Sequence, residues 1–169
     1  MTRGFVIEPL GAHDRSAFSC GVEPLDRYFR ERVSQDMKRL MASCFVAIDA
    51  ANHTIAGYYT LAATSIAFVE LPPDISKRLP RYPALPAALV GRLAVDRRFH
   101  RKGLGGALVA DAALRVLNGD VKAFALIVDA KDENAAAFYR AHGFRQFQSR
   151  PLSLFLPLET ARQASGRGT

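Results

Sequence analysis

Only two of the 169 residues are cysteine, Cys20 and Cys44, and neither a C-x-x-C pair nor a histidine at metal-ligand spacing accompanies them. That scarcity argues against a disulfide framework and against a zinc finger. Both thiols are expected to be small buried side chains, and no metal is expected. Long apolar runs are missing too. The longest, Ile55 to Val69, is broken by Gly57, Thr60, Thr64 and Ser65, far short of the roughly 20 apolar residues of a membrane span. The opening Met1-Thr2-Arg3-Gly4-Phe5 lacks the apolar stretch of a secretory signal, so the cytoplasm is the expected compartment and no membrane partner is foreseen. Proline and glycine, 9 and 12 residues, are too few for a disordered or collagen-like chain, and 49% apolar residues suffice for a folded core. The length predicts one domain, over residues 1–158, followed by a flexible tail over 159–169.

Charge is present and unevenly placed. Between Lys77 and Lys102 lie eight basic residues (Lys77, Arg78, Arg81, Arg92, Arg97, Arg98, Arg101, Lys102) and one acid, Asp96. That surplus of seven equals the net charge of the whole chain, +7, so the remainder is balanced. Concentrated positive charge of this kind suits an anionic partner, whether cofactor phosphates or a nucleic-acid backbone. A weaker cluster, including Lys38 and Arg39, falls on a predicted helix and reads either as a solvated face or as an extension of the same surface.

Phe5 to Leu10 predicts a short strand, and apolar residues three or four apart predict an amphipathic helix from Pro24 to about Met41. Cys44–Ile48 and Thr54–Val69 predict a hairpin, the second strand broken at Gly57 or near Thr64. A proline-rich connector with one helical turn at Ile75–Leu79 leads to Ala87–Val95, read as a strand buried on both faces. A helix from the Gly103-Leu104-Gly105-Gly106 turn to about Leu117 follows, then a strand at Phe124–Val128 and a helix at Asp132–Ala141 stopped by His142-Gly143. Strands at Phe144–Phe147 and Leu152–Leu158 close the chain. This order is α/β with a mixed central sheet.

The segment Asp96 to Leu108, D-R-R-F-H-R-K-G-L-G-G-A-L, sets glycines and cations between a buried strand and a helix start. Glycine lets backbone approach a ligand closely, and the free N–H groups of a first helical turn favour phosphate. Neither G-x-x-x-x-G-K-[ST] nor G-x-G-x-x-G occurs, so the turn is neither a P-loop nor a dinucleotide fingerprint.

Strand R-L-A-V-D, turn F-H-R-K-G-L-G-G and, about thirty residues on, A-K-D-E-N-A-A-A-F-Y-R-A-H-G-F together resemble the GNAT family of acyl-CoA-dependent N-acetyltransferases. The resemblance implies a GNAT fold, a mixed sheet flanked by helices with a splayed strand pair at an acetyl-CoA site. It further implies that Leu93, Ala94 and Val95 line the pantetheine arm. His100, Arg101, Lys102, Gly103, Leu104, Gly105 and Gly106 match the turn that holds the CoA pyrophosphate. The family's pattern there is Q/R-x-x-G-x-G/A, so His100 departs from it at the first position. Asn134 and Phe138 match positions flanking the cofactor, and Tyr139 matches the proton donor to the CoA thiolate. F-S-C-G-V-E-P-L-D-R-Y-F (Phe18 to Phe29), I-A-G-Y-Y-T-L-A-A (Ile55 to Ala63) and the Tyr82-Pro83 to Pro86 connector are similar to the GNAT toxins of bacterial toxin–antitoxin modules. That narrower resemblance implies acetylation of the α-amino group of aminoacyl-tRNA, a homodimer, and neutralisation by a small DNA-binding antitoxin.

The chemistry agrees with an α-amine acceptor. Ala87 to Val95 contains no carboxylate to deprotonate a lysine-like amine of pKa near 10.4, whereas an α-amine near 7.7–8.0 is already partly neutral. A tRNA acceptor stem would engage Lys38, Arg39, Lys77, Arg78, Arg81, Arg92, Arg97 and Arg98 through phosphate contacts. Two alternatives stand beside this reading: an acetyltransferase for a small amine or protein N-terminus, and a non-catalytic binding module.

Overall fold

The computed structural model describes residues 4–167 of the chain. Seven strands run in the order β1-β2-β3-β4-β5-β7-β6: β1 (Phe5–Pro9), β2 (Ser43–Asp49), β3 (Thr54–Ala67), β4 (Ala84–Val95), β5 (Ala125–Asp129), β6 (Arg145–Gln146) and β7 (Ser153–Pro157). β1–β2 and β2–β3 pair antiparallel, β4–β5 parallel, and β5–β7 and β6–β7 antiparallel. The sheet is mixed, as the element order implies. Among the described residues, contacts divide the chain into two compact units, one of residues 4–62 with 91–112 and one of 63–90 with 113–167; β3, β4 and the helix after β4 each contribute residues to both.

The first unit is organised by aromatic packing. Helix α1 (Glu23–Arg27) passes through a π-helical segment, Tyr28–Arg32, into helix α2 (Val33–Lys38). Its buried face carries Tyr28, Phe29 and Val33 into a core with Phe18, Val46, Ile55 and Tyr58. The Phe29 and Tyr58 rings stack 4.2 Å apart at 10°, and Phe18 meets both edge-on, geometries favoured by the ring quadrupole. The Tyr58 hydroxyl, deep in this core, donates to the Leu25 carbonyl at 2.7 Å, so its burial leaves no donor unmet. Cys20 and Cys44 are free and buried here.

β3 is continuous where a break was expected. Ala47 faces Gly57 and Ile48 faces Ile55, so Ala56 forms a one-residue bulge. Gly57 has a different task. A Cβ there would lie 3.0 Å from the Ala94 carbonyl and 3.1 Å from Leu108 Cδ1, so its missing side chain admits close approach of backbone. β4 also differs from expectation. It begins at Ala84, and its buried residues Leu85, Ala87, Val90 and Ala94 are separated by half-buried or exposed ones, so it is not buried on both faces throughout.

In the second unit, Ile66, Leu71, Ile75, Leu85, Ile127, Phe147 and Phe155 form the core. Parallel pairing of β4 with β5 runs from Ala87–Ala125 to Val90–Val128. Helix α3 (Pro73–Ser76) is tied to β6 by Arg145, whose guanidinium donates to both Asp74 carboxylate oxygens at 2.8 and 3.1 Å. Helix α5 (Glu133–Ala141) begins at Asp132, whose carboxylate accepts the Ala135 N–H at 2.8 Å, an N-cap that satisfies an otherwise free donor. It ends before Gly143 at φ +92°, the left-handed position glycine takes without cost. The expected unstructured tail is instead helix α6 (Leu158–Arg167); Gly168 and Thr169 lie outside the described residues. Leu158 is buried and its N–H bonds the Phe124 carbonyl at 2.9 Å, which fixes the helix start, and Glu159, Ala161, Arg162 and Gln163 are good helix formers.

Replacing Gly57 with alanine should destabilise the protein by about 1–3 kcal/mol through overpacking, read as a lowered Tm with native circular dichroism below the transition.

Candidate active site

β4 ends at Val95, and the next residue, Asp96, organises the segment that follows. Its side chain is 2% exposed. One carboxylate oxygen accepts the Arg98 N–H and Arg98 Nε, both at 2.9 Å; the other accepts Arg98 Nη2 and the Ser19 N–H, both at 3.1 Å. Its own N–H bonds the Ala56 carbonyl at 2.8 Å, and the Arg97 N–H bonds the Ser19 carbonyl at 2.9 Å. These bonds fold Arg97–Phe99 into a 3₁₀ turn. Burial raises the Asp96 pKa, but the Arg98 and Ser19 hydrogen bonds more than offset it and hold the carboxyl below its ordinary value. A carboxylate so engaged is a poor proton acceptor.

His100 follows, its Nε2 2.7 Å from the Val95 carbonyl. A carbonyl can only accept, so this nitrogen carries the proton, and the ring closes the turn back onto the strand end. Arg101 and Gly103 both adopt positive φ, +63° and +78°, and a Cβ on Gly103 would meet nothing within 4 Å. Helix α4 (Leu104–Asn118) then starts, and its first backbone bond runs from the Ala107 N–H to the Gly103 carbonyl at 3.2 Å. The N–H groups of Leu104, Gly105 and Gly106 therefore precede the helical ladder and stand available to an acceptor. Open space at Gly103, three donors and the positive helix end fit a phosphate group.

In the second unit, Tyr139 on α5 is 8% exposed, with the Phe138 ring 5.2 Å and the Phe144 ring 5.5 Å away. Burial pushes its phenol up to about 12, so it is protonated at neutral pH. Its hydroxyl has no hydrogen-bond partner among the described residues, and none of their buried side-chain oxygens is left unsatisfied. The oxygen therefore reaches solvent. A structural tyrosine normally satisfies its hydroxyl within the core; this one presents a proton outward. Asn134 lies exposed on the same helix, and Phe138 is half-buried.

The cations divide by environment. Lys77, Arg78 and Arg81 are exposed in the second unit, with Arg78 Nε donating to the Asp74 carbonyl at 3.1 Å. In the first unit Lys38, Arg39 and Arg97 are exposed. Arg98, expected as a phosphate contact, spends Nε and Nη2 on Asp96 while its side chain stays half exposed. Arg92 is half-buried, its guanidinium stacked on the Tyr28 ring at 3.5 Å. Thr60, missed in the sequence, takes part here: its buried Oγ1 accepts the Arg92 N–H at 3.1 Å. No sequence spacing marks it, because the contact joins strands 32 residues apart.

Nucleophilic chemistry through cysteine is disfavoured. Burial pushes Cys44 up to about 12 and, with Asp26 adding to it, Cys20 up to about 11, so neither supplies thiolate near pH 7. Among the described residues no group of three or more His, Cys, Asp or Glu is placed to hold a metal ion, and no helix is long and apolar enough to cross a membrane.

Asp96→Ala would orphan the Ser19 N–H and should cost about 1–3 kcal/mol in denaturant melts. The folded pKa is depressed, so the stabilisation is present above the unfolded value near 3.9 and drains as pH falls through the lower folded value. Asp96→Asn should accordingly show a shallower loss of stability in acid than the native chain.

A family model described as acetyltransferase (GNAT) domain matches residues 41–146. The chain is 30% identical over 172 aligned residues to a probable toxin TacT of Sinorhizobium fredii, with 95% of each protein covered. It is 32% identical to a tRNA-acetylating toxin of Mycobacterium tuberculosis, with 92% of each covered. Among solved structures, AtaT complexed with acetyl-methionyl-tRNAfMet matches with a TM-score of 0.87 at 27% identity, over 95% of this chain and 99% of that one.

Proposed function

We propose that this chain, which belongs to the GNAT acetyltransferase family, transfers acetyl from acetyl-CoA to the α-amino group of aminoacyl-tRNA and so blocks translation. The observation that carries this reading is the state of Asp96, the one acid in the basic stretch. Buried, quadruply hydrogen-bonded and held below its ordinary pKa, it does not serve as a general base for a lysine-like ammonium. An acceptor that is already partly neutral, such as an esterified α-amine, needs none.

Acetyl-CoA supplies the activated thioester. The N–H groups of Leu104, Gly105 and Gly106 hold its pyrophosphate, with Gly103 keeping the cradle open and His100, Arg101 and Lys102 completing the turn. Leu93, Ala94 and Val95 line its pantetheine arm, and Asn134 and Phe138 flank it. The neutral amine attacks the carbonyl directly, since both cysteines are buried and protonated. Tyr139 would give its proton to the departing sulfur, and the proton lost by the acylated nitrogen would restore the phenol. Lys38, Arg39, Lys77, Arg78, Arg81, Arg92, Arg97 and Arg98 bind tRNA phosphates; Arg98 spends Nε and Nη2 on Asp96 and turns Nη1 to the substrate. The reaction belongs to the cytoplasm, where charged tRNA is found. A homodimer and a small DNA-binding antitoxin complete the reading.

Labelled acetyl should pass from acetyl-CoA to aminoacylated tRNA and not to uncharged tRNA; label on free amines instead would replace the proposed acceptor. Tyr139→Phe should lower kcat by about 100-fold or more, the usual contribution of a positioned acid, with native folding. KM for aminoacyl-tRNA should rise steeply between low and high salt, and Arg78→Ala with Arg81→Ala should flatten that slope. A salt-independent KM would remove tRNA phosphates from the reading.

A further inference from the structure

Eight residues of regular α-helix turn about 80° beyond two full turns, so residues i and i+8 do not share a face. Tyr28 and Asp36 are eight apart, yet the Tyr28 hydroxyl donates to the Asp36 carboxylate at 2.6 Å. The π-helical segment Tyr28–Arg32 accounts for this. The Val33 N–H bonds the Tyr28 carbonyl, five residues back, and the extra residue taken up by that wide turn lets eight residues complete about two turns. The irregularity brings a carboxylate onto the end of the Tyr28 side chain.

The Tyr28 ring is buried, 5% exposed, and the Arg92 guanidinium lies over it with Cζ 3.5 Å from the ring centroid. Arg92 is pinned at its backbone as well, through the Thr60 hydroxyl. Among the described residues it has no carboxylate partner. A guanidinium stacked flat on a ring keeps its five N–H donors in its own plane, free to meet a phosphate in a fixed orientation. Asp36 bonds the phenol and not the guanidinium, so Arg92 keeps an unneutralised charge while the ring beneath it is held still.

We propose that Tyr28 and Asp36 are positioning residues, joined by the π-helical segment, that preset the Arg92 guanidinium to clamp a phosphodiester of the tRNA acceptor end. This rests on the assignment of Arg92 to the tRNA contact made above. The device explains why a cation half-buried beside an aromatic core carries no acid partner: its partner arrives with the substrate.

Steady-state acetylation by the full-length protein, with aminoacyl-tRNA and acetyl-CoA varied separately, tests the device. Tyr28→Leu removes the π face and should raise KM for aminoacyl-tRNA about tenfold, leaving kcat and KM for acetyl-CoA unchanged. Tyr28→Phe keeps the face and loses only the Asp36 bond, so KM should rise no more than about threefold. Asp36→Ala should match it and add nothing to it. In an Arg92→Gln background Tyr28→Leu should have no further effect on KM. Arg92→Lys retains charge without the flat fork and should behave like Arg92→Gln, which decides the matter even if Tyr28→Leu does not fold. Additivity of Tyr28→Leu with Arg92→Gln, a fall in kcat in Tyr28→Leu, or native KM in Arg92→Lys would each overturn the positioning role while leaving the contact standing. An unchanged KM in Arg92→Gln would instead remove Arg92 from the tRNA contact, and the device with it.

Discussion

A buried carboxylate at the end of β4 is the constraint on which the first unit's functional segment depends. Asp96 leaves water with only the Arg98 charge and a ring of N–H donors to offset the loss, and those donors come from residues far apart in sequence, Ser19 and Arg98. Its backbone is pinned as well, to the bulged residue Ala56. The direction in which the chain leaves the strand is therefore set before the glycine turn begins. Helix α4 then starts with its first N–H groups unspent. The same bonds that shape the turn also hold the Asp96 carboxyl below its ordinary pKa, so one set of interactions fixes both the geometry and the charge of this segment.

Polar groups elsewhere are disposed by the same logic of burial and satisfaction. Tyr58 is fully enclosed and spends its hydroxyl on a backbone carbonyl; Tyr28 spends its own on Asp36. Tyr139 is nearly as buried as Tyr28, yet its hydroxyl is left unspent among the described residues. Unmet hydrogen-bonding capacity at an otherwise packed residue is costly unless solvent or a ligand meets it. That contrast sets Tyr139, whose hydroxyl has no protein partner, apart from the tyrosines that hold the core.

Local signals carried much of the architecture. The Gly143 stop, the hairpin and the strand–turn–helix around Gly103 each depend on residues within a few positions of one another, and each occurs where the pattern predicts; the helix read from Asp132 starts one residue later, with Asp132 as its cap. The π-helical segment was not legible, because Tyr28 to Arg32 reads as ordinary amphipathic helix; its register change answers to the packing of Tyr28 and Phe29 against Phe18 and Tyr58. Helix α6 was missed because its polar sequence has no apolar periodicity, and its start is set by Leu158 and the Phe124 carbonyl. β4 reads as buried on both faces because alanine, leucine and valine fill half-buried positions as well as buried ones.

By itself the sequence determined the element order, the mixed sheet, the concentration of positive charge between Lys77 and Lys102, the glycine turn and the absence of a carboxylate from Ala87 to Val95, since these follow from composition and short-range spacing. Tertiary structure alone decided which cations remain free. Arg98 is bound to Asp96, Arg92 is stacked on Tyr28 and held through Thr60, and Lys77, Arg78 and Arg81 are left to solvent. A side chain's partner depends on residues brought near it by folding from tens of positions away, and the energy of each charge depends on the burial and hydrogen bonding found there.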